Sequence, residues 1–335
     1  MQVRNGFIVA ALVLAGGVVA LPAQADNKPA KSATEGYQSA WQLWSKGDSV
    51  QAEKALQKLV VQFPQDSHLG LFLAASIAAH VSEAEADTYF SRVIELGAKS
   101  AKPSPDALAA QHFLHLGDPD SANEAFSSLG ALAQKNSQNP VFVWLYAQAA
   151  ERMQKPELAE QAFKALLKST KSAPAVVRQG YADALEAQGK HFFALEHRLK
   201  ITSAEPTPAT LHALSGNLKS LARFTEAASV ATLTIKKFPS APQGWYDLGV
   251  TDAATRRPDL AVANFSKALE IAEASSEKFD KSAALLAWGT CLESQKKYTE
   301  AAEKFRRVAA LQGASAQLVK EATKRARAAE LAGNN

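Results

Sequence analysis

Small and bulky apolar residues recur along this chain in phase with a helix, and the phrase they form repeats. Ala52, Ala86, Ala122, Ala159, Ala194, Ala227, Ala261 and Ala301 stand 34, 36, 37, 35, 33, 34 and 40 residues apart. Four places after most of these alanines comes a bulky apolar side chain: Leu56, Phe90, Phe126, Phe163, Phe265 and Phe305, with Arg198 and Ala231 as the exceptions. Residues four apart share a helix face. Helix formers dominate, and β-branched and aromatic residues are not grouped into the alternating runs that strands require. The pattern predicts an all-α chain of stacked helix hairpins sharing one continuous core. Irregular places mark joints. Residues 98–106, with Lys102-Pro103-Ser104-Pro105, read as a loop, and the wide gap before Ala301 puts about six extra residues around 274–281. Those residues either lengthen a helix or form a surface loop. Beyond Gly313, Ser315 is placed to cap a last helix from Ala316 to Leu331.

Read in register, the repeats become specific. The seventh has Trp245, Leu248, Gly249, Ala261, Phe265 and Ala268; the eighth has Trp288, Gly289, Leu292, Tyr298, Ala301, Phe305 and Val308. The sixth has Leu211, Leu214, Leu218, Phe224, Ala227 and Pro239, the fifth Tyr181, Ala182, Leu185, Ala194, Ile201 and Pro206. The fourth gives Tyr146, Ala147, Ala159, Phe163, Leu166 and Pro174, and the first Ala40, Leu43, Gly47, Ala52, Leu56, Leu59 and Pro64. The second (Leu73, Ala74, Ile77, Ala86, Phe90, Val93) and third (Ala110, Phe113, Ala122, Phe126, Leu129) lack the closing proline. Small residues let paired helices approach to about 8–10 Å, and proline stops the second helix because the residue before it disfavours the α region. On these residues the chain resembles the tetratricopeptide repeat (TPR) family over roughly 36–313, about eight repeats, with 314–335 as a C-terminal capping helix.

The resemblance implies a concave groove lined by the first helix of each repeat. At its groove positions stand Tyr37, Trp41 and Trp44, then Leu71, Ala75 and Gln111, then Trp144, Gln148 and Arg152, then Gln179, Asp183, His212, Lys219 and Tyr246. Such a groove takes a helix or extended peptide, and aromatic clusters mark interaction surfaces. Trp41 and Trp44 have two readings: groove walls, or side chains packed under a neighbouring helix as an N-terminal cap. The Lys and Asn clamp with which some TPR domains hold C-terminal carboxylates does not match here. Gln179 and Asp183, or His212 and Gly216, occupy its positions, and Asn217 is one residue out of register.

The N-terminus changes the setting. Arg4 precedes an apolar run from Phe7 to Leu21, followed by Pro22 and Ala23-Gln24-Ala25 ahead of Asp26. This is the layout of a secretory signal peptide, too short for a spanning helix of about 20 residues; an uncleaved membrane anchor is the alternative, against which the A-x-A site argues. The expectation is residues 1–25 cleaved after Ala25, a flexible lead-in over 26–35, and a periplasmic mature protein with no transmembrane span. Cys291 is the only cysteine. It excludes an internal disulfide and reads as a small buried hydrophobe.

Formal charge is +4 overall and +3 without the first 25 residues, too little to argue for nucleic acid. The excess is local: Lys296 to Glu330 holds nine Lys or Arg against four Glu. That end is either a docking patch for an anionic surface or polysaccharide, or the solvated face of the capping helix.

Catalytic and metal signatures are absent: there is no H-E-x-x-H, P-loop or G-x-S-x-G. His112 and His115 sit three apart without a third ligand, and His191 and His197 have no recognisable partner. The reading is a non-catalytic scaffold of the cell envelope, without cofactor or metal, that holds a protein or peptide partner. A glycan-binding module using the groove tryptophans, as part of a polysaccharide export or processing assembly, is the alternative, and an enzyme accessory or an enzyme with a hidden site the third.

Overall fold

A computed structural model of the chain describes residues 30–80, 83–99, 102–169, 174–275 and 279–334. The expected export segment 1–25 lies outside the described residues. Among them there are seventeen helices and no strand. The chain divides into two compact units, one up to His197 and one from Arg198 onward.

The first unit holds α1 (Ala33–Ser45), α2 (Ser49–Gln62), α3 (Ser67–His80), α4 (Glu83–Ala98), α5 (Pro105–His115), α6 (Ala122–Lys135), α7 (Pro140–Arg152), α8 (Pro156–Ser169), α9 (Ala175–Ala187) and the start of α10 (His191–Ala204). The second holds the rest of α10, then α11 (Pro208–Ser220), α12 (Phe224–Lys237), α13 (Pro242–Ala254), α14 (Pro258–Ala274), α15 (Lys281–Ser294), α16 (Tyr298–Ala309) and α17 (Ala316–Gly333). α1 to α16 pair into eight hairpins. The long gap before Ala301 is absorbed in part by α14, which runs for 17 residues.

Local chemistry sets the helix starts. Ser32 Oγ accepts from Glu35 N, Asp48 Oδ1 from Gln51 N, and Ser315 Oγ from Leu318 N. Each satisfies a backbone N–H that has no partner inside the helix. Thr207 and Thr210 cap each other's backbone reciprocally. α5, α7, α8, α11, α13 and α14 begin on proline, which suits the first helical turn because its missing N–H is not needed there.

The hairpin turns repeat as strictly as the core. Gly47, Gln154, Gly189, Ala222, Arg256 and Lys296 all take positive φ, between 52° and 94°. Each stands five places before its repeat alanine. Only two are glycine, so four turns hold a β-carbon in the left-handed region at a cost of about 1–2 kcal/mol each. Gly117, at the same place in repeat three, is not among these residues.

The packing positions behave as small-residue contacts. A β-carbon at Gly249 would stand 2.8 Å from the Phe265 ring, and one at Gly289 2.5 Å from Phe305. Ala52, Ala159, Ala194, Ala227, Ala261 and Ala301 are fully buried. Cys291 is buried as well, its Sγ 3.5 Å from Pro258 O, and burial, with Asp259 nearby, pushes the thiol pKa up. α3 departs from the amphipathic pattern: Leu69, Leu71, Phe72, Leu73, Ala74, Ala75 and Ile77 are all fully enclosed. A helix that is apolar all round belongs inside a core. α3 is wrapped by its neighbours α1, α2, α4 and α5, and it also touches α7, two repeats on.

Candidate binding surfaces

In the first unit the side chains expected to wall a groove pack on one another. Trp44 meets Trp144 with ring centroids 4.7 Å apart, and Trp41 stacks on Trp44 at 4.7 Å. Phe72 of α3 closes the cluster, 5.6 Å from Tyr37, 5.8 Å from Trp41 and 6.1 Å from Trp44. Gln148 donates from Nε2 to Ala75 O at 3.2 Å.

Trp44 and Leu71 are fully enclosed, Trp144 is 1% exposed and Gln148 7%. This corrects the expectation of an open wall at Leu71, Trp144 and Gln148, and of the two readings of Trp44 it favours the packed one. The physical reason is the direct approach of α3 to α7 past repeat three, whose α5 has only 11 residues and whose turn lacks the left-handed residue. A Trp side chain buries about 150–250 Å², so aromatic faces brought this close exclude water. The Trp44 indole N–H finds no hydrogen-bond partner, which costs about 1–3 kcal/mol. Of the other expected residues in this unit, Tyr37 and Trp41 are half-buried, and Gln111, Arg152, Gln179 and Asp183 are exposed. The Arg152 guanidinium lies over the Phe113 ring at 4.4 Å.

A polar relay ties the same four repeats together. His68 Nδ1 lies 2.8 Å from Asp106 Oδ1, and its Nε2 lies 2.8 Å from Asn139 Nδ2. Ser67 Oγ donates to Asp106 Oδ2 at 2.7 Å, and Tyr37 OH to Asn139 Oδ1 at 3.2 Å. Asn139 Oδ1 also accepts from Val141 N at 3.1 Å and so caps α7. Burial alone lowers the His68 pKa, but the hydrogen bond and charge of Asp106, with Asp66 behind them, outweigh it and hold it above the ordinary value.

The second unit gathers three expected residues around a fourth. Asp247 of α13 is fully buried. Its Oδ1 takes Lys219 Nζ at 2.7 Å and its Oδ2 takes His212 Nδ1 at 2.9 Å, both from α11. Tyr246 lies beside this pair, its ring 5.9 Å from His212 and 5.8 Å from Phe279. Burial, with Asp247 and Asp280, pushes the Tyr246 hydroxyl pKa up. The His212 side chain keeps 43% of its surface exposed and Lys219 14%.

A fully buried carboxylate would be costly alone; two N–H donors, at least one of them cationic, hold it in place. With Nδ1 engaged by Asp247, His212 keeps Nε2 for an outside partner. The cluster offers hydrogen bonds and a half-exposed ring, the means of recognising a peptide. Sequence reading missed Asp247. Its signal is an acid on the inward face of an otherwise apolar stretch, Trp245 to Val250.

Among the described residues no three His, Cys, Asp or Glu side chains converge as a metal site would require. His112 and His115 both lie in the last turn of α5. Burial and the neighbouring His115 lower the His112 pKa. No described helix is long and apolar enough to cross a membrane.

Known proteins agree with this geometry. A family model of the tetratricopeptide repeat matches residues 108–175 and 260–317. No curated protein matches the chain by sequence. The crystal structure of yeast Tom70 is similar with a TM-score of 0.51 at 14% identity, over 97% of this chain and 69% of that one. The structure of the APC/C hetero-tetramer Cut9–Hcn1 is similar with a TM-score of 0.50 at 14% identity, over 90% of this chain. This chain spans 60% of the matched Cut9–Hcn1 chain. A tetratricopeptide repeat protein from Parabacteroides merdae matches over 78% of this chain at 15% identity, with a TM-score of 0.45. At such identities the likenesses to Tom70 and Cut9–Hcn1 speak to fold alone. Solenoids of this type are in general scaffolds for protein–protein contact. The chain therefore carries tetratricopeptide-repeat sequence over residues 108–175 and 260–317, and its helix hairpins have the all-α solenoid fold of such repeats.

Proposed function

We propose that this protein is a non-catalytic interaction scaffold of the bacterial cell envelope, exported by residues 1–25 and holding a peptide or helix of a protein partner. The observation that supports this reading best is the cluster around Asp247. It fixes His212, Lys219 and Tyr246, three residues at groove positions of the repeat, and leaves His212 and Tyr246 part-exposed. A site whose side chains are held before binding loses less ordering entropy on association. In the first unit the corresponding aromatics are consumed by their own packing, so the partner is assigned to the second unit.

The glycan reading relied on stacking against Trp41 and Trp44. Trp44 is enclosed and Trp41 lies stacked on it, so the protein-partner reading is the better supported.

The test is chemical crosslinking of the tagged protein in its own periplasm, with mass spectrometry of the captured species, beside a His212→Ala/Tyr246→Ala variant. A discrete protein present with the parent and lost with the variant supports the proposal. Equal capture by both proteins, or no protein in either, contradicts it.

A further inference from the structure

We infer that the trough between α16 and α17 is a second docking site, a seat for an acidic amphipathic helix of a partner protein. The trough encloses about 480 Å³. It is lined by Ala309, Ala310, Ala326 and Thr323, with Arg306, Arg327 and Glu330 as its charged residues. The three alanines leave room for one or two apolar side chains and let a helix backbone come close.

Charge selects the occupant. Arg306 is engaged by Glu330, Nε to Oε1 at 2.9 Å, whereas Arg327 has no carboxylate partner among the described residues. Lys320, Lys324 and Arg327 are exposed and follow one another at i, i+4 and i+7, so they share one face of α17. The surrounding stretch, Lys296 to Glu330, has nine Lys or Arg against four Glu. Carboxylates flanking an apolar helix face would meet these cations while the face itself fills the trough.

Two other occupants fit less well. A second copy presenting the same end brings like charges together. The α1–α2 stretch offers no acidic complement, because 31–62 holds four Lys against three acidic residues. A lipid surface needs an apolar face to insert. That face of α17, Ala322, Ala326 and Ala329, is buried in the repeats, and Leu331 is the helix's large exposed apolar side chain, at 60%.

The test uses the full mature chain and fluorescence anisotropy with a labelled peptide of about 18 residues, long enough for marginal helicity, with Leu and Ala on one helical face and Glu on its flanks. A scrambled peptide of the same composition is the control. Arg327→Glu reverses a charge in the lining, and Ala310→Gln puts a longer side chain there without changing charge. Both positions are exposed, and circular dichroism melts check that folding is kept. The expected result is saturable binding to the parent, weakened about tenfold or more by either substitution and by scrambling. It is left unchanged by His212→Ala/Tyr246→Ala, which separates this site from the one around Asp247. Equal binding of the scrambled peptide or indifference to Ala310→Gln would reduce the trough to a general polyanion patch and overturn the inference. So would the absence of binding to the parent.

Discussion

The indole rings of Trp44 and Trp144 lie tilted against each other in the core of the first unit, with centroids 4.7 Å apart at an interplanar angle of 52°. Repeats one, two and four therefore close on one another here, and Trp144, which its repeat position alone would place on a binding wall, is core together with Trp44. Truncating either to Ala should cost about 3–5 kcal/mol. The double variant should cost less than the sum, because the two share one cluster. Urea titration of the four proteins checks this; strict additivity would mean that the rings do not touch in solution.

The turn residues make a prediction of opposite sign. Ala222 sits at φ 55°, where its β-carbon is strained. Ala222→Gly should raise stability by up to about 1 kcal/mol, the relief of strain being partly offset by the greater freedom of glycine in the unfolded chain. Gly249→Ala puts a β-carbon 2.8 Å from the Phe265 ring and should cost about 1–3 kcal/mol through overpacking. Thermal melts read both, and a loss of stability in Ala222→Gly would contradict the turn geometry.

The Asp247 cluster predicts a strong coupling. Asp247→Leu leaves Lys219, with only 14% of its side chain exposed, as a mostly buried cation without a counter-charge, at a cost of about 3–5 kcal/mol. Adding Lys219→Met should recover most of that loss. Equal instability of the single and double variants would show that the charge pair is not what Asp247 contributes.

Two groups set a pH dependence in the first unit. Burial, with Asp183 nearby, pushes the Glu151 carboxyl up from 4.5 to about 8, and Asp106 holds His68 above 6.5. In both cases the folded state binds the proton more tightly than the unfolded chain. Their stabilisation is complete at low pH and is lost as pH rises, from about 4.5 to 8 for Glu151 and from 6.5 upward for His68. The first unit should thus be less stable at pH 8 than at pH 6. Glu151→Gln together with His68→Gln should flatten that slope in chemical denaturation at several pH values. A slope that persists unchanged would place its origin elsewhere.

Most of the fold was legible because repeat residues report local geometry. Ala261 beside Phe265, or Gly289 opposite Phe305, states a helix–helix distance wherever it occurs. Sequence periodicity carried no information on how repeat two meets repeat four. That approach depends on the short α5 and the exceptional turn at Gly117, and it decides that Trp44 and Trp144 are core. Position in a repeat places a side chain on a face of its helix, and the next layer decides whether that face stays open. Asp247 was overlooked for the same reason: its partners, His212 and Lys219, lie one repeat earlier and meet it only across the hairpin stack.

The central claim is that the second unit, and not the aromatic cluster of the first, receives the partner. Its most direct measurement is photo-crosslinking in intact cells with a benzophenone amino acid placed either at His212 or at Trp41. The account predicts one discrete protein adduct from position 212 and none from position 41. An adduct from position 41 alone would return the binding surface to the N-terminal aromatics and contradict it.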